Sequence, residues 1–257
     1  MRRARLICID VDGTVSDRFR APTVPGAAAT LASIRERLPM KLVTNATSVT
    51  HSALAGMLEE LGLLTDPAEL VTPATTARRV LAERGDDSGL LFADKSAYED
   101  FSWFRQDPSG SAVVLATEGH SLSIADLQPA FRLLLDGARL YTLQRNRYYR
   151  RGDQLVTDLG PLAAFLAYAA DRDFVNLGKP SRVLFENLAR DAGCDLDEIV
   201  MVGDDAEFDA SGCVALGMRG VLVRTGKYRE GDEGRFSPPP TTTLDSVADL
   251  PAWLDSL

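Results

Sequence analysis

The sequence has few of the features that mark membrane-spanning, disulfide-bonded or zinc-binding proteins. Among its 257 residues there is no apolar run of the roughly 18 residues that a membrane-spanning helix needs. The three cysteines are far apart, and neither His51 nor His120 has a second ligand at metal-binding spacing, which argues against a disulfide framework and a zinc site. The apolar part of MRRARLICID is too short for a secretion signal. We therefore expect a soluble cytoplasmic protein.

An excess of basic residues is also missing. The formal net charge is −9, which argues against a protein that mainly binds nucleic acid or an anionic membrane. An anionic substrate is still compatible with this charge, because a metal ion or local basic groups can reverse the sign of the potential inside a cleft. The hydrophobic content of 45% and the charged content of 25% are ordinary for a globular protein.

Short apolar runs alternate with helical patterns at both ends of the chain. Strands are predicted at residues 5–9, 40–43, 70–72, 199–202 and 220–223. Helices are predicted at residues 25–38, 49–61, 181–192, 205–216 and 247–257, and a proline-rich loop at 227–243. Strands that alternate with helices in this way predict a Rossmann-like α/β core, with a parallel sheet covered by helices on both faces.

The middle of the chain repeats this alternation on its own. Strands are predicted at residues 90–93, 112–115 and 139–142, and helices at 124–135 and 162–170. An independent pattern of about 100 residues is typical of a second domain inserted into a surface loop of the first. We therefore predict a core formed by residues 1–75 and 176–257, with an α/β domain at 76–175 inserted into it.

The stretch ICIDVDGTV places two carboxylates, Asp10 and Asp12, directly after an apolar strand. Two negative charges this close make each other harder to ionise, so the arrangement needs a compensating partner. Thr44 and Asp204 also follow predicted strands. Because the carboxyl ends of parallel strands meet at one edge of the sheet, we expect Asp10, Thr44 and Asp204 to converge there.

A divalent cation is the partner that these acids favour. Mg²⁺ takes oxygen ligands and keeps several waters, so Asp10 and Asp204 would supply carboxylate oxygens and Asp12 its backbone carbonyl. Gly13 permits the sharp turn, and Asp12 would then be free to exchange a proton. For the GDD sequence, capping of the following helix by Asp204 or Asp205 is an additional role.

Further groups in the sequence complete a binding site for a phosphoryl group. Lys179, in GKPS, adds a fixed positive charge, Thr44 adds a hydroxyl, and the turn at Gly13 adds backbone N–H groups. An aspartate beside such a site is a competent nucleophile and would form an aspartyl-phosphate. Phosphoryl transfer needs mainly positioning and charge stabilisation, which this set of groups provides.

The motifs DVDGT, LVTN, GKPS and VGDDAEFD occur in this order and resemble the four motifs of the haloacid dehalogenase (HAD) superfamily of phosphatases. The large insertion between the second and third motifs resembles that of subclass IIA, so the resemblance implies an α/β cap domain of the C2 type at residues 76–175. The segments RNRYYRRGDQLVTDLGP, GKPS and GDDAEFDASGCVALGMRGVLVRTGKY are similar to the phospholysine phosphohistidine inorganic pyrophosphate phosphatase group.

This resemblance implies a role for each motif residue that handles the substrate. Asp10 matches the nucleophile, and Asp12 matches the acid/base that protonates the leaving oxygen and later activates water. Thr44 matches the phosphate-binding residue of the second motif, with Asn45 beside it. Lys179 matches the lysine that neutralises Asp10 and the phosphate.

The same resemblance implies a Mg²⁺ site formed by Asp10, Asp12 and Asp204. Asp209 matches a downstream acid, which we expect to support either the metal ligands or Lys179. Asp205 is an additional acid for which the resemblance implies no role.

The basic segment RNRYYRR has several interpretations. It could be a solvated strand edge, a cap surface that faces the active site, or a nucleic-acid patch, the last being disfavoured by the acidic chain as a whole. Relatives often have glycine where this chain has Asn146, and Arg145 and Arg147 flank it. We therefore name Arg145 and Arg147 as candidate specificity residues. The resemblance also implies a homodimer formed through the cap.

The leading hypothesis is a Mg²⁺-dependent phosphatase that acts on a small phosphomonoester, P–N compound or pyrophosphate. A phosphotransferase or phosphomutase would use the same intermediate and would be distinguished by its need for an acceptor other than water. A non-enzymatic phospho-accepting signalling module also gathers acids, a threonine and a lysine at strand ends. Such a module is about half this length, and it lacks an acid two residues after its phosphorylated aspartate.

Overall fold

The structure is a computed structural model, and it describes residues 3–117, 121–151 and 153–256, except for the side chain of Arg150. His120 lies outside these residues. The chain divides into two compact units, the first made of Met1–Thr44, Ser52–Val71 and Lys179–Leu257, and the second of Asn45–His51 and Thr72–Gly178. The assignment of catalytic core and cap functions to separate domains stays a prediction.

The strands and helices alternate along much of the chain. In chain order, the strands are β1 (Leu6–Ile9), β2 (Ser16–Asp17), β3 (Arg20–Thr23), β4 (Met40–Val43), β5 (Leu70–Val71), β6 (Ser88–Ala93), β7 (Arg105–Gln106), β8 (Ala112–Ala116), β9 (Arg139–Thr142), β10 (Tyr148–Arg151), β11 (Gln154–Thr157), β12 (Phe174–Asn176), β13 (Ile199–Gly203), β14 (Arg219–Val223) and β15 (Thr242–Leu244). The α-helices are α1 (Ala27–Arg35), α2 (His51–Glu60), α3 (Pro73–Arg84), α4 (Gln128–Leu135), α5 (Leu159–Ala170), α6 (Arg182–Ala192), α7 (Gly212–Val214) and α8 (Leu250–Asp255). A π-helical turn at Ala206–Ser211 leads directly into α7.

The central sheet of the first unit is parallel throughout and has the strand order β15-β14-β13-β1-β4-β5. Every residue of β1, β13 and β14 is buried, as expected for parallel strands that are covered on both faces. This arrangement confirms the predicted α/β class with a parallel central sheet. β1 lies between β13 and β4, so the chain ends of these three strands are neighbours at one edge of the sheet.

Helix α6 fixes the segment that carries Lys179. The hydroxyl of Ser181 caps the helix by accepting a hydrogen bond from the backbone N–H of Leu184 at 3.4 Å. Leu184 and Phe185 are buried with Cys8 of β1 in one hydrophobic cluster. Burial of each such large apolar side chain contributes about 1.5–3 kcal/mol to stability, so the helix start is held firmly against the sheet.

The second unit contains its own parallel sheet, with the strand order β12-β9-β8-β6-β7. Helices α4 and α5 pack against each other and against β8 and β9. Strands β10 and β11 form a separate antiparallel hairpin, which contains most of the RNRYYRR segment. The prediction of strands and helices in the middle of the chain is therefore confirmed in kind, although the hairpin and β12 were not predicted.

Two further elements show where local sequence patterns mislead. The sequence analysis did not identify α3, although the side chains of Thr72 and Thr75 form a reciprocal capping box at its start and Gly85 ends it with φ of 71°. The loop prediction for residues 227–243 was wrong at its end, because Thr242 pairs with Val221 to begin β15. A short, polar edge strand has no alternation that reveals it.

The structure adds one finding about membranes. Within residues 3–117, 121–151 and 153–256, no helix combines the length and the apolar character that crossing a membrane requires.

Candidate active site

Three neighbouring strands of the first unit deliver the residues that the sequence singled out. Ile9 of β1 pairs with Leu42 of β4 and with Val202 of β13, so the residues that follow these strands reach the same edge of the sheet. These residues are Asp10, Thr44 and Asp204, and their exposed fractions are 6%, 3% and 1%. The backbone N–H of Asp10 continues the ladder by donating to the carbonyl of Val202 at 2.8 Å.

The chain turns sharply directly after Asp10. The carbonyl of Val11 accepts hydrogen bonds from the N–H groups of Val15 at 3.0 Å and Ser16 at 3.1 Å. Gly13 has φ of 87°, and a Cβ at this position would overlap Oδ2 of Asp204, so both the backbone conformation and the space require glycine. The N–H of Gly13 donates to the carbonyl of Ser16 at 2.7 Å and therefore serves the turn itself.

Asp12 lies half-buried within this turn. Its Oδ1 accepts a hydrogen bond from the backbone N–H of Arg18 at 2.6 Å, at the tip of the β2–β3 hairpin. Burial and the charge of Asp10 raise the pKa of the Asp12 carboxyl, although the Arg18 N–H acts in the opposite direction. A carboxyl group with a raised pKa is suited to donating a proton near neutral pH.

Lys179 is buried between two acids, with 3% of its surface exposed. Its Nζ contacts Oδ1 of Asp10, and it lies 2.8 Å from Oδ1 of Asp209. Burial alone would lower the pKa of the ammonium group, but the charges of Asp10 and Asp209 outweigh this and raise it. The hydroxyl of Thr14 donates to the other oxygen of Asp10 at 3.3 Å. Lys179 therefore stays charged and orients the carboxylate of Asp10.

Asp10, Asp204 and Asp209 form a cluster in which one carboxylate oxygen of each residue lies within 4.8 Å of those of the other two. Burial and then the charge of Asp10 raise the pKa of Asp204 to about 8. Burial also raises the pKa of Asp209 to about 7, against the effect of Lys179. The cluster therefore contains more negative charge than Lys179 alone compensates.

One oxygen of Asp204 marks where a cation could be held. Its Oδ2 accepts a hydrogen bond from the backbone N–H of Lys227 at 2.6 Å. Its Oδ1 is buried and has no hydrogen-bond partner among the residues that the structure describes. A buried carboxylate oxygen without a donor is costly, and oxygen ligands are those that Mg²⁺ and Ca²⁺ prefer. The carboxylate oxygens of Asp204 and Asp10 are therefore suitable ligands for a hard divalent cation.

Asp205 has a capping role in this structure. Its Oδ1 accepts hydrogen bonds from the backbone N–H groups of Glu207 and Phe208, each at 3.1 Å, at the start of the π-helical turn. Its Oδ2 lies 3.5 Å from Nζ of Lys227. The turn places Asp209 so that its Oδ2 accepts from the backbone N–H of Asp205 at 3.3 Å.

The other predicted site residues are placed as follows. Thr44 is held by its backbone N–H, which donates to the carbonyl of Val71 at 3.1 Å. Asn45 is grouped with the second unit, where a Cβ on Gly178 would lie 2.7 Å from its Oδ1. Arg145 and Arg147 are exposed on the second unit, next to the β10–β11 hairpin. The functional roles of these residues stay predictions.

The sequence analysis missed a second group of residues beside the acids. Thr225, Gly226 and Lys227 follow β14, and two of them donate hydrogen bonds to the turn at Gly13 and to Asp204. A signal was available, because β14 is the neighbour of β13 and its carboxyl end lies at the same edge of the sheet. The sequence analysis predicted a loop from residue 227 onward and therefore assigned no role to this segment.

Comparison with known protein families gives two matches along the chain. Residues 7–101 match a family described as haloacid dehalogenase-like hydrolase, and residues 176–250 match a family described as HAD-hydrolase-like. Between them, these matches include Asp10, Asp12, Lys179 and Asp204.

Similar proteins extend over nearly the whole length. The chain is 36% identical to haloacid dehalogenase-like hydrolase domain-containing protein 2 of Mus musculus, covering 95% of this chain and 93% of that protein. It is 31% identical to phospholysine phosphohistidine inorganic pyrophosphate phosphatase of Bos taurus, covering 95% and 92%. A solved p-nitrophenyl phosphatase from Archaeoglobus fulgidus shares the fold, with a TM-score of 0.85 at 19% identity over 100% of both chains. The chain therefore belongs to the haloacid dehalogenase-like hydrolase family.

Proposed function

We propose that this protein is a Mg²⁺-dependent phosphatase that hydrolyses a small phosphorylated compound through an aspartyl-phosphate on Asp10. The observation that carries the proposal is the paired environment of two buried acids. Lys179 contacts one oxygen of Asp10, while Asp204 keeps a buried oxygen that no group in the described part of the chain hydrogen-bonds. This pairing supports a nucleophile that is oriented by a fixed cation next to a place for a second, divalent one.

The metal would be held by the carboxylates of Asp10 and Asp204, together with the backbone carbonyl of Asp12. When bound, Mg²⁺ would neutralise part of the negative charge of the phosphoryl group and of the acid cluster. Asp209 is the third member of the acid cluster, but its ion pair with Lys179 supports a different role. It would keep the lysine charged and aimed at Asp10.

The chain's own residues supply the chemistry in two steps. In the first, a carboxylate oxygen of Asp10 forms a bond to phosphorus while the bond from phosphorus to the leaving group breaks, and Asp12 gives its proton to the departing atom. In the second, Asp12 accepts a proton from a water molecule whose oxygen attacks phosphorus. The bond between Asp10 and phosphorus then breaks, which releases inorganic phosphate and restores both acids. The pKa of Asp12 is shifted upward, chiefly by burial, which is the direction that proton donation requires.

The proposed substrate is a small molecule that contains a phosphomonoester, a P–N bond or a pyrophosphate. The support is the 31% identity to a relative whose name includes phospholysine, phosphohistidine and inorganic pyrophosphate. Arg145 and Arg147 are proposed as the residues that distinguish among such compounds. A net charge of −9 supports neither nucleic acid nor anionic membrane as a partner. Homodimer formation through the cap remains part of the proposal.

The test is phosphate release from a panel of compounds, including p-nitrophenyl phosphate, pyrophosphate and phospholysine, with and without Mg²⁺. Asp10→Asn should reduce turnover at least about 1,000-fold, because it removes the nucleophile, while circular dichroism and thermal unfolding show a folded protein. Asp195→Asn makes the same chemical change at an exposed acid of the first unit and should leave turnover unchanged. Full turnover by Asp10→Asn would refute the assignment. Substrate consumption that needs an added alcohol acceptor, with the phosphoryl group recovered on that alcohol and not as inorganic phosphate, would favour a phosphotransferase.

A further inference from the structure

The segment Thr225–Lys227, which we call the strap, links two parts of the acidic site that are far apart in sequence. At one end, the hydroxyl of Thr225 donates to the carbonyl of Gly13 at 2.6 Å, in the turn that follows Asp10. At the other end, the backbone N–H of Lys227 donates to Oδ2 of Asp204 at 2.6 Å. The strap therefore bridges the turn after β1 and the acid after β13.

The centre of the strap fits around the Asp204 carboxylate with no spare room. Gly226 has φ of 56°, and a Cβ there would overlap Oδ2 of Asp204 and lie 2.6 Å from the Cα of Gly13. A Cβ on Gly13 would in turn lie 3.0 Å from the Cα of Gly226. Two glycines thus face each other, with one oxygen of Asp204 between them, so the carboxylate has little freedom to rotate.

We propose that the strap is a positioning element of the metal site, which holds Oδ2 of Asp204 so that Oδ1 faces the cation. The hydrogen bond from Lys227 uses Oδ2, and the oxygen without a partner is the buried Oδ1. The bond from Thr225 holds the turn that carries Asp12, whose carbonyl is a proposed ligand. This inference rests on the proposed function, because it assumes that Asp10 and Asp204 bind a divalent cation.

The rest of the loop has anchors of its own, besides the contacts of the strap. The hydroxyl of Tyr228 donates to Glu233 at 2.9 Å, and the backbone N–H of Arg229 donates to Asp232 at 2.9 Å. Tyr228 also packs against a small apolar cluster of the first unit. The hydrogen bonds of Thr225 and Lys227 are directed instead at a site carbonyl and a site carboxylate, which favours a positioning role.

The first test compares Gly226→Ala with Gly231→Ala. Both glycines lie in the same loop at positive φ, 56° and 90°, but a Cβ on Gly231 would have no atom within 4 Å. Both variants therefore strain the backbone, and only Gly226→Ala displaces the Asp204 carboxylate. Titration of the metal-free protein with Mg²⁺ by calorimetry should show binding at least about 10-fold weaker for Gly226→Ala, and wild-type binding for Gly231→Ala.

A second pair of variants keeps the test valid if Gly226→Ala does not fold. Thr225→Val keeps the side-chain shape and removes the hydroxyl, so it should weaken Mg²⁺ binding several-fold, and Thr225→Ser should restore it. The paramagnetic resonance spectrum of bound Mn²⁺ gives an independent readout of the ligand geometry, and we expect it to differ between Thr225→Val and wild type.

The outcomes distinguish the role of the strap from the metal dependence of the proposed function. Wild-type Mg²⁺ affinity in Gly226→Ala or in Thr225→Val would overturn the role of the strap and leave the proposed phosphatase mechanism intact. Equal losses in Gly226→Ala and Gly231→Ala would also overturn it, because strain alone would then explain the effect. Absence of Mg²⁺ binding by the wild-type protein would instead overturn the metal dependence itself, together with the strap.

Discussion

Two buried acids, one in each unit, have the same burial and opposite pKa shifts. Asp86 in the second unit and Asp204 in the first are each 1% exposed. One oxygen of Asp86 accepts from the hydroxyl of Tyr141 and, at 2.7 Å, from the guanidinium of Arg139. Although burial opposes it, these donors lower the pKa of Asp86. Within residues 3–117, 121–151 and 153–256, Asp204 has an amide donor on one oxygen and no donor on the other, and its pKa is raised.

The comparison shows that burial alone does not determine whether an acidic residue has a structural or a functional role. Asp86 accepts hydrogen bonds from two side chains of β9 and is therefore a structural group that connects the end of α3 to β9. Asp204 shares its surroundings with Asp10 and Asp209 and lacks enough positive charge, which is typical of a functional site. Their positions agree with this difference. Asp86 precedes β6 at the amino end of its parallel sheet, whereas Asp204 follows β13 at the carboxyl end, where ligands bind in α/β sheets.

The largest expected loss of stability comes from replacing Lys179, a buried cation of the first unit. Lys179→Met leaves Asp10 and Asp209 without their common partner, and breaking a buried ion pair costs about 3–5 kcal/mol. Arg139→Met makes the corresponding change beside Asp86, but this side chain is 55% exposed and Tyr141 remains, so the loss should be much smaller than for Lys179→Met. Urea unfolding of both variants without metal measures the difference. Equal losses would contradict the comparison.

The next effect is a pH dependence of stability that the metal should abolish. The folded-state pKa values of Asp204 and Asp209, about 8 and about 7, lie above the unfolded value of about 3.9. The folded state therefore binds more protons, and this contribution to stability is lost as pH rises through the folded pKa values. Without metal, the free energy of unfolding should fall between pH 5 and 8, by up to about 1.4 kcal/mol per pH unit for each of the two acids that keeps its proton in the folded state.

Saturating Mg²⁺ should flatten this dependence, because a bound cation replaces the protons on the acids. The measurement is the urea midpoint as a function of pH, with EDTA and with Mg²⁺. A slope that is the same in both conditions would show that the acid cluster is not where the cation binds.

The sequence was enough to predict the α/β class and the convergence at the sheet edge. Asp10, Thr44 and Asp204 each follow a short apolar run, and the general rule for parallel sheets brings such positions together. The placement of Lys179 against Asp10 needed more than this rule, because 168 residues separate the two along the chain. Its prediction depended on the resemblance of GKPS to a family motif.

Other features depend on tertiary contacts that no local pattern encodes. Lys227 donates its backbone N–H to Asp204, a contact that any residue except proline could make and that no sequence motif marks. Gly226 is needed because of Gly13 and Asp204, which lie far away in sequence. The unpartnered oxygen of Asp204 likewise becomes visible only when every neighbouring donor has been located. Sequence reasoning therefore finds the acids but not the groups that orient them.

The smallest expected loss of stability concerns Asp86 in the second unit. Asp86→Asn removes the charge that holds Arg139 and the hydroxyl of Tyr141, and leaving such groups poorly paired costs about 1–3 kcal/mol. Because the pKa of Asp86 is lowered in the folded state, its contribution is present above the usual carboxyl pKa of about 3.9 and is lost as pH falls through the folded value. The variant should therefore be less stable than wild type at pH 7, and the difference should shrink in acid.

Asp87→Asn is the matched control, because Asp87 is the exposed neighbour of Asp86 and its replacement should change stability by no more than about 0.5 kcal/mol. Phosphate release by Asp86→Asn should equal that of wild type at a temperature where both are folded. A loss of turnover with unchanged stability would mean that Asp86 takes part in catalysis. The contrast between a structural and a functional acid would then be wrong.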